Sequence, residues 1–330
     1  MDEADAPDRA ALTAHFGFPL DEFQVVALDA LDLGRSVLVA APTGSGKTVV
    51  AEYAIDVAVS RGRRAFYTAP IKALSNQKYH DLASRLGPQT VGLLTGDNSI
   101  NGDAPVVVMT TEVLRNMIYA RNPALAELDV VILDEVHFLQ DTYRGQVWEE
   151  VIIHLPSHVR LVCLSATVSN AEELAQWITT VRGTTQAVVE HRRPVRLDNL
   201  YMIGDKTHNR MHLLPTLVDG RPNGEAARLD EEAAHGGRAN RRGGGRNQAR
   251  RRLFTPSRTE VLDLLEQHRM LPAIYFIFSR NQCDEAARSA AATGLQLTTV
   301  ADRVRIHEIV DKRLGAIDPA DLEVLGYDTF

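Results

Sequence analysis

The stretch that most constrains this fold is residues 41–48, which read Ala-Pro-Thr-Gly-Ser-Gly-Lys-Thr. A short apolar run over residues 36–40 precedes it, and a helical pattern begins at Val49. Strand, glycine-rich turn and helix in this order are the context that a phosphate-binding loop requires. The backbone N–H groups of such a loop point inward, and the helix N-terminus adds the positive end of its dipole. The stretch therefore predicts a nucleoside triphosphate site.

The residues of this loop have separate predicted roles. Lys47 would reach the β- and γ-phosphates, and the Thr48 hydroxyl would be a ligand of Mg²⁺. The general pattern begins with glycine, whereas this chain has Ala41 at that place. The other residues expected to contact the phosphates are Thr43, Gly44, Ser45 and Gly46.

An adenine site is suggested by Phe18, which is followed six residues later by Gln24. Phe18 could stack on the base, and the Gln24 amide offers the donor and the acceptor that the adenine N6/N7 edge needs. The alternative is that Phe18 and Phe23 anchor the core and that Gln24 lies on the surface. Both interpretations stay open at this point.

Length and composition limit the class of protein. The chain has 330 residues, 45% hydrophobic residues and a formal net charge of -7, which is typical of about two soluble globular domains. Cys163 and Cys283 are the only cysteines, so a disulfide framework or a zinc site is not expected. The N-terminus is acidic, and no apolar run approaches the roughly 18 residues of a membrane span. We therefore expect a cytoplasmic protein without membrane contact.

Beyond the loop, apolar strand-like runs alternate with helical patterns. The runs occupy residues 64–69, 90–94, 105–109, 129–134 and 159–165. Such alternation predicts an α/β fold with a mainly parallel sheet. Because the functional loops of a parallel sheet gather at the carboxyl ends of its strands, the polar clusters that follow these runs should share one edge.

Three of these clusters are candidates for contact with a nucleic-acid backbone. After the first strand, Lys72, Ser75 and Lys78 lie near a helix start, where backbone N–H groups also favour phosphate; a solvated polar face is the alternative. The second cluster is Thr95-Gly96-Asp97, and the third is Thr110-Thr111-Glu112. Either threonine of the third cluster could simply cap the next helix.

Adjacent carboxylates end the strand at 129–134. Asp134 would hold Mg²⁺, and Glu135 would orient and activate the attacking water. Acids at the mouth of an apolar strand are costly without a cation or hydrogen bonds, so a purely structural role is disfavoured. His137 adjoins the pair, although a lone histidine is more often structural. After the next strand, the hydroxyls of Ser165 and Thr167 could touch the acid pair, or form an ordinary turn.

The composition predicts three regions: an ATP-binding domain at 1–203, a disordered Arg/Gly-rich linker or insertion at 204–256, and an incomplete α/β domain at 257–330. Residues 235–252 contain no acid and almost no apolar side chain, so they cannot form a core. They would be a solvated linker or a tether that adds affinity for phosphates. In the third region we expect a buried strand at 272–279, then helices at 280–292 and 302–314.

The ordered motifs resemble those of superfamily 2 helicases. The loop at 41–48, with alanine at its first position, is followed in order by the segments at 70–78, 95–97, 110–112, 134–137 and 165–167. The Asp-Glu-Val-His form of the acid motif, the Phe18 and Gln24 pair, Arg193-Pro194-Val195 and residues 276–280 are similar to the superkiller-type RNA helicases of the DEVH box. The resemblance covers most of residues 16–202 and 257–330.

This resemblance implies two RecA-like lobes with ATP and Mg²⁺ between them and single-stranded or partly duplex RNA across their top. The ATPase residues would be Lys47, Thr48, Asp134 and Glu135. His137, Ser165 and Thr167 would couple hydrolysis to strand movement. The residues that would contact the tracked strand are Pro70, Lys72, Gly96, Asp97, Thr110 and Thr111.

One motif of these helicases is not found in this sequence. The family's second lobe carries a Gln…Gly-Arg…Gly-Arg motif that supplies arginine fingers, and this chain contains none after residue 280. We therefore expect weak ATP binding and no unwinding by this chain alone, since loss of such a finger costs about 10³–10⁵ in rate. The alternatives are a DNA-tracking repair helicase and a nucleotide-binding or nucleic-acid-binding module without motor activity.

Overall fold

The computed structural model describes residues 8–96, 98–166, 170–236, 253–294 and 297–314. The chain divides into two compact units, Met1–Leu197 and Asp198–Phe330. No helix within the described ranges is long and apolar enough to cross a membrane.

The first unit is built around eight strands. They are β1 (Ser36–Ala40), β2 (Arg64–Ala69), β3 (Val91–Leu94), β4 (Ser99–Ile100), β5 (Val106–Thr110), β6 (Leu128–Leu133), β7 (Arg160–Ser165) and β8 (Thr185–Val189). Seven helices accompany them: α1 (Arg9–Thr13), α2 (Glu22–Asp32), α3 (Thr48–Ser60), α4 (Lys72–Leu86), α5 (Thr111–Tyr119), α6 (Gly145–His154) and α7 (Ala171–Arg182). Short 3-10 turns occupy Ala14–Phe16, Pro123–Ala126 and Val136–Gln140.

These strands form one sheet in the order β4-β3-β5-β2-β6-β7-β1-β8. Every pairing is parallel except that of β3 with the short β4. Helical crossovers between successive parallel strands cover both faces of such a sheet. The predicted α/β fold with a mainly parallel sheet is therefore confirmed, and the predicted strand positions agree with β2, β3, β5, β6 and β7 to within one or two residues.

Two apolar clusters fill the space between the sheet and its helices. One cluster includes Leu28, Tyr53 and Ile55 from α2 and α3. The other includes Trp148 and Ile152 from α6. Alternate residues of the central strands contribute to each cluster, because successive side chains of a strand point to opposite faces. Strands buried on both faces explain the continuous apolar runs of the sequence.

The second unit has shorter elements. Its strands are β9 (Leu200–Asp205), β10 (Arg210–Pro215), β11 (Leu217–Val218), β12 (Arg221–Pro222) and β13 (Leu253–Phe254), and its helices are α8 (Gly224–Gly236), α9 (Arg258–Gln267), α10 (Arg280–Ala292) and α11 (Val300–Leu314). Strand β9 pairs antiparallel with β10 and β13. The predicted helices at 280–292 and 302–314 are present as α10 and α11.

The structure corrects two expectations for this unit. Regular elements occupy much of 204–236, where a linker was predicted to begin at residue 204; β9 and β10 pair over six residues, which satisfies their backbone groups. Residues 273–277 form no strand, and Ile274 and Phe276 are 82% and 78% exposed. The apolar pattern is strand-like, but a strand needs a hydrogen-bonded neighbour, and none of the described residues pairs with it. Residues 237–252 lie outside the described ranges, so the linker and the three-domain division remain predictions.

Candidate functional site at the carboxyl edge of the sheet

The sheet brings the sequence motifs to one edge. Asp134 N donates to Thr68 O over 3.0 Å, which fixes the end of β6 beside β2. Ala69 is paired with Thr110 across β2 and β5, and Ala40 is paired with Ser165 across β1 and β7. Since all these strands run parallel, the segments that follow them emerge side by side.

The phosphate loop leads from β1 into α3 with two glycines at positive φ. Gly44 and Gly46 both have φ +84, a region that favours glycine. Gly46 is also crowded, because an added Cβ would lie 2.7 Å from Gln24 Nε2. A Cβ added at Gly44 would lie 3.8 Å from Pro194 Cγ, which is an ordinary van der Waals distance.

Gln24 is held by two hydrogen bonds on the inner side of this loop. Its Nε2 donates to Gly46 O over 3.0 Å, and its Oε1 accepts from Asp21 N over 2.9 Å. The side chain is only 2% exposed, so the surface position that was one alternative is wrong. An amide retains a second N–H and a further lone pair, so contact with a base remains compatible with this geometry.

Lys47 folds back onto the loop. Its Nζ donates to Ala41 O over 2.6 Å and to Pro42 O over 3.3 Å. Burial lowers the pKa of Lys47, and the carboxylates Glu135 and Asp134 act in the opposite direction. A half-buried ammonium that donates to two loop carbonyls is suited to exchange them for phosphate oxygens, which bind a cation more strongly.

Asp134 is anchored on both carboxylate oxygens. Its Oδ1 accepts from Glu135 N over 2.9 Å, and its Oδ2 accepts from the Tyr67 hydroxyl over 2.6 Å. Burial, together with Asp134, raises the pKa of Tyr67 well above its usual value. Tyr67 therefore remains a donor, and it holds the carboxylate in one orientation at the end of β6.

Glu135 begins a sharp turn away from the sheet. Its φ is 53, in the left-handed region that few non-glycine residues adopt. Its Oε2 lies 3.2 Å from His137 Nδ1, and this contact is an ion pair when the imidazole is protonated. The turn places Glu135 and His137 together beside Asp134. Such strain in a non-glycine residue is common at functional sites.

Of the three coupling candidates, His137 lies beside Glu135, Ser165 is described at the end of β7, and Thr167 is not among the described residues. Ser165 is fully buried at the end of β7, its carbonyl oxygen accepts from Ala41 N over 3.2 Å, and its hydroxyl makes no hydrogen bond to any described residue. It therefore adjoins the first residue of the phosphate loop. Thr167 lies outside the described residues, and so does Asp97.

Neither Phe18 nor Gln24 lines the cavity that the structure describes beside the loop, so their role at adenine remains a prediction. A cavity of about 340 Å³ adjoins the outer side of the loop. Its lining residues are Asp21, Phe23, Gly44, Ser45, Glu190, Arg192, Arg193 and Pro194. Phe18 is outside this lining and 54% exposed, which excludes the core position considered for it. Phe23 is 6% exposed and does belong to the core.

The candidate nucleic-acid contacts lie on the β3, β5 and β2 side of the same edge. Gly96 and Lys72 are exposed, Thr110 is half-buried, and Pro70 and Thr111 are buried. Thr110 stands at the N-cap of α5 without a capping hydrogen bond from its side chain, and the buried Thr111 hydroxyl has no hydrogen-bond partner among the described residues.

Ser75 and Lys78, which were considered with Lys72 as phosphate contacts, have other neighbours in the structure. Ser75 is fully buried and donates to Ile71 O over 3.4 Å, so its predicted phosphate contact is wrong. Helix periodicity turns this position toward the sheet. Lys78 Nζ lies 5.9 Å from the centroid of the Tyr67 ring.

Sequence reasoning missed Tyr67 and Arg144. Tyr67 lies inside a continuously buried strand, where nothing in the pattern distinguishes it from a core aromatic. Arg144 follows the acid motif, and its Nη2 donates to Pro70 O and to Glu112 Oε1. These partners are 74 and 32 residues away along the chain, so no local pattern could have indicated them.

The donor set suits a metal–nucleotide complex. Within the described ranges, no group of three or more His, Cys, Asp or Glu residues could hold a metal ion. Mg²⁺ commonly takes one or two protein ligands together with phosphate oxygens and water. Asp134 keeps free lone pairs on both oxygens, and Thr48 opens α3 beside the loop, so these two residues could serve as the protein ligands.

The sheet and the loop define an α/β phosphate-loop domain. Residues 21–174 match the family described as DEAD/DEAH box helicase. The chain therefore contains a DEAD/DEAH box helicase domain, and this domain holds the phosphate loop, the acid pair and the edge clusters together.

Curated relatives agree with this assignment. The chain is 50% identical over 322 residues to the probable helicase HelY of Mycobacterium tuberculosis (strain ATCC 25618 / H37Rv), covering 96% of the chain and 35% of the relative. It is 38% identical over 317 residues to human superkiller complex protein 2, covering 94% of the chain and 25% of that protein. The chain thus spans about a quarter to a third of the length of these relatives.

A solved structure supports the fold. The DUF1998 helicase MrfA, bound to DNA and AMPPNP, aligns with a TM-score of 0.50 and 19% sequence identity. The alignment covers 70% of this chain and 34% of that chain.

Proposed function

We propose that this chain is the ATP-binding portion of a DEVH-box RNA helicase. The observation that supports the proposal best is the order of segments along one sheet edge. The phosphate loop follows β1, the acid pair follows β6, and the clusters at Pro70 and Thr110 follow β2 and β5. A nucleotide held at β1 and a nucleic-acid strand held at β2 and β5 would thus have the acid pair between them.

In this proposal the chemistry is divided among a few residues. Lys47 binds the β- and γ-phosphates, and Thr48 and Asp134 hold Mg²⁺, which neutralises phosphate charge when bound. Glu135 orients the attacking water, with His137 beside it. Ser165, next to the loop, and Thr167 transmit nucleotide state toward the nucleic acid. Gln24, whose side chain is hydrogen-bonded to Gly46 of the loop, contributes to adenine recognition.

The nucleic acid is proposed to lie along the outer half of the edge. The contacts proposed for its backbone are Pro70, Lys72, Gly96, Asp97, Thr110 and Thr111. RNA is preferred because the DEVH-box relatives include proteins named as RNA helicases, such as the chloroplastic DExH15 of Arabidopsis thaliana. DNA is the competing substrate, since phosphate contacts alone do not distinguish the two.

The domain division is proposed with one revision. The predicted boundary at residue 203 falls inside β9, which belongs to the second unit, so the ATP-binding lobe is proposed to end at Leu197; residues 257–330 are proposed to belong to a second lobe. The intervening region contains β9 to β12 and α8 before the Arg/Gly-rich stretch.

Two free cysteines, one buried and one exposed, agree with a reducing cytoplasmic location.

The test measures nucleotide binding, because the roles proposed for Lys47, Thr48 and Asp134 are contacts with the metal–nucleotide complex. Fluorescent ATP is titrated with Mg²⁺ into the parent chain and Lys47→Ala. We expect Lys47→Ala to weaken binding by about 10- to 150-fold, as for a lost hydrogen bond to a charged group. Lys206→Ala, in the second unit, is the control. Equal affinity of Lys47→Ala and the parent would contradict the proposal.

Substrate class is tested separately. Labelled single-stranded RNA and DNA of the same sequence are titrated in the presence of AMPPNP and Mg²⁺. Tighter binding of RNA supports the RNA helicase, whereas tighter binding of DNA supports the repair helicase. Binding of ATP without binding of either strand supports a nucleotide-binding module.

A further inference from the structure

A connecting segment, residues 136–145, leads from the acid pair to the nucleic-acid side of the edge. Phe138 N donates to Glu135 O over 3.0 Å, and Asp141 N donates to Phe138 O over 2.9 Å. Gly145 N then donates to Asp141 O over 2.9 Å. These consecutive hydrogen-bonded turns restrict the backbone between Glu135 and Gly145. Gly145 is closely packed, because an added Cβ would lie 2.1 Å from Leu139 O.

Arg144 is oriented at the end of this connecting segment. Its backbone N donates to Asp141 Oδ1 over 2.9 Å. Its guanidinium lies 5.7 Å from the centroid of the Phe138 ring and 5.9 Å from that of Trp148. The two rings stack with centroids 5.8 Å apart at 17°. Contact of a planar cation with two aromatic side chains limits the rotamers that Arg144 can adopt.

The guanidinium joins two segments that are separate in sequence. Nη2 donates to Pro70 O and, over 2.8 Å, to Glu112 Oε1. Pro70 precedes Ile71, the N-cap residue of α4, and so lies two residues before Lys72; Glu112 lies in the first turn of α5, directly after Thr110 and Thr111. Arg144 thus touches two of the three segments proposed to hold the nucleic-acid backbone.

Stability alone is a weak explanation of this contact. The side chains of Arg144 and Glu112 are 36% and 35% exposed, and ion pairs as exposed as this contribute little to folding. A neighbouring pair, Arg115 and Glu150, joins α5 and α6 at 3.8 Å without reaching either segment. Arg144 therefore differs from Arg115 in that it connects the segments at Pro70 and Glu112.

We propose that Arg144 is a positioning residue that couples the acid pair to the nucleic-acid segments at Pro70 and Glu112. The inference rests on the proposed function. A shift of Glu135 on nucleotide binding would move the connecting segment as a unit, and Arg144 would carry both segments with it. Lysine would preserve the charge, but it lacks the planar fork and the same stacking on Phe138 and Trp148.

The test is a thermodynamic cycle with this chain. The Kd of labelled single-stranded RNA is measured without nucleotide and with saturating AMPPNP and Mg²⁺, and the Kd of AMPPNP is measured with and without RNA. Because coupling is reciprocal, both ratios must agree. We expect a ratio of about fivefold or more in the parent chain, near the lower end of typical allosteric coupling.

Arg144→Lys is the main variant, and Arg115→Lys is its matched control on the neighbouring helices. We expect Arg144→Lys to bring the ratio close to one while each ligand alone still binds, and Arg115→Lys to keep the parent ratio. Glu112→Gln, which removes only one partner's charge, should give an intermediate ratio.

The outcomes separate the two proposals. A parent chain that binds neither AMPPNP nor RNA would contradict the proposed function and this inference with it. A parent chain that binds both without coupling, or an Arg144→Lys variant with the parent ratio, would overturn the role of Arg144 alone. A fall in ratio in Arg115→Lys equal to that in Arg144→Lys would also overturn it.

Discussion

The Tyr67 hydroxyl donates a 2.6 Å hydrogen bond to Asp134 Oδ2, joining the interior of β2 to the acid pair at the end of β6. Tyr67 is 1% exposed and Asp134 is half-buried, so the donor side of the bond is shielded from water. A hydrogen bond to a charged group in such a site is stronger than one at the surface. The carboxylate proposed to hold Mg²⁺ is thus oriented by a residue of the neighbouring strand.

Loss of this hydroxyl should impair metal-dependent nucleotide binding. Tyr67→Phe removes a bond of about 1.5–3 kcal/mol and leaves Asp134 held only through Oδ1, so we expect Mg²⁺-dependent ATP affinity to fall by about tenfold or more. Fluorescent ATP titrations with Mg²⁺ and with EDTA measure this difference.

Tyr53→Phe is the matched control for Tyr67→Phe. Tyr53 is also fully buried, and its hydroxyl donates over 2.5 Å to Asp32, away from the carboxyl edge. Tyr53→Phe should reduce stability without changing the effect of Mg²⁺ on ATP affinity. An equal loss in both variants would indicate a general loss of stability.

Replacement by alanine should reduce the free energy of unfolding by different amounts at Gly44 and Gly46. Gly44→Ala and Gly46→Ala share φ +84, which costs each about 1–2 kcal/mol. Only the Gly46 methyl group meets Gln24 Nε2, and moving that buried amide breaks a bond worth about 1 kcal/mol more. We therefore expect Gly46→Ala to be the less stable variant.

Urea unfolding followed by tryptophan fluorescence measures these costs for the first unit, because both tryptophans, Trp148 and Trp177, belong to it. In a Gln24→Ala background the difference between Gly46→Ala and Gly44→Ala should disappear, because the obstructing amide is gone. A difference that persists there would show that the clash with Gln24 is not its cause.

The two thiols should react at very different rates. Cys163 is fully buried in β7, whereas Cys283 is exposed. At pH 8, a thiol reagent should modify Cys283 rapidly and Cys163 only after unfolding. Cys283→Ser should abolish the rapid phase, and Cys163→Ala should leave it unchanged. Two rapid thiols in the native chain would contradict the burial of Cys163.

Burial of Cys163 also predicts a loss of stability at alkaline pH. It raises the pKa of this thiol from 9.0 to about 12. Between those values the unfolded chain has released the proton that the native chain keeps, so the free energy of unfolding falls as pH rises. The slope from this group is at most about 1.4 kcal/mol per pH unit. Cys163→Ala should show a shallower decline above pH 9 than the parent chain.

Asp205 should make the β9–β10 hairpin sensitive to acid. Burial acts to raise the pKa of Asp205, but hydrogen bonds from the His208 side chain and from the backbone N–H groups of His208 and Thr207 outweigh it and lower the pKa below 3.8. A lowered native pKa means that its stabilising contribution is present above about pH 3.8 and is lost as pH falls further.

Hydrogen exchange over residues 200–215, corrected for intrinsic rates, measures this contribution. Protection should fall between pH 5 and pH 3 in the parent chain and should vary less in Asp205→Asn. Asp219→Asn, at an exposed position whose positive φ of 50 suits asparagine, should behave like the parent chain. Equal pH dependence in the parent and Asp205→Asn would contradict the role of Asp205.

Local patterns predicted most of the first unit. The phosphate loop, six of the strands and the edge at which their motifs meet follow from apolar runs and from glycine and polar residues at strand ends. These signals are local because backbone conformation and periodicity depend on neighbouring residues. The same rules failed at 273–277, where the side chains are suited to a strand but the described chain provides no neighbour for it.

Only the tertiary structure decided how the motifs support one another. Gln24 contacts Gly46, Tyr67 contacts Asp134, and Arg144 contacts Pro70 across 22, 67 and 74 residues of sequence. The amino-acid sequence determined that a phosphate loop and an acid pair would share a sheet edge. Which side chains hold them there depends on the packing of distant segments, and no local periodicity encodes that packing.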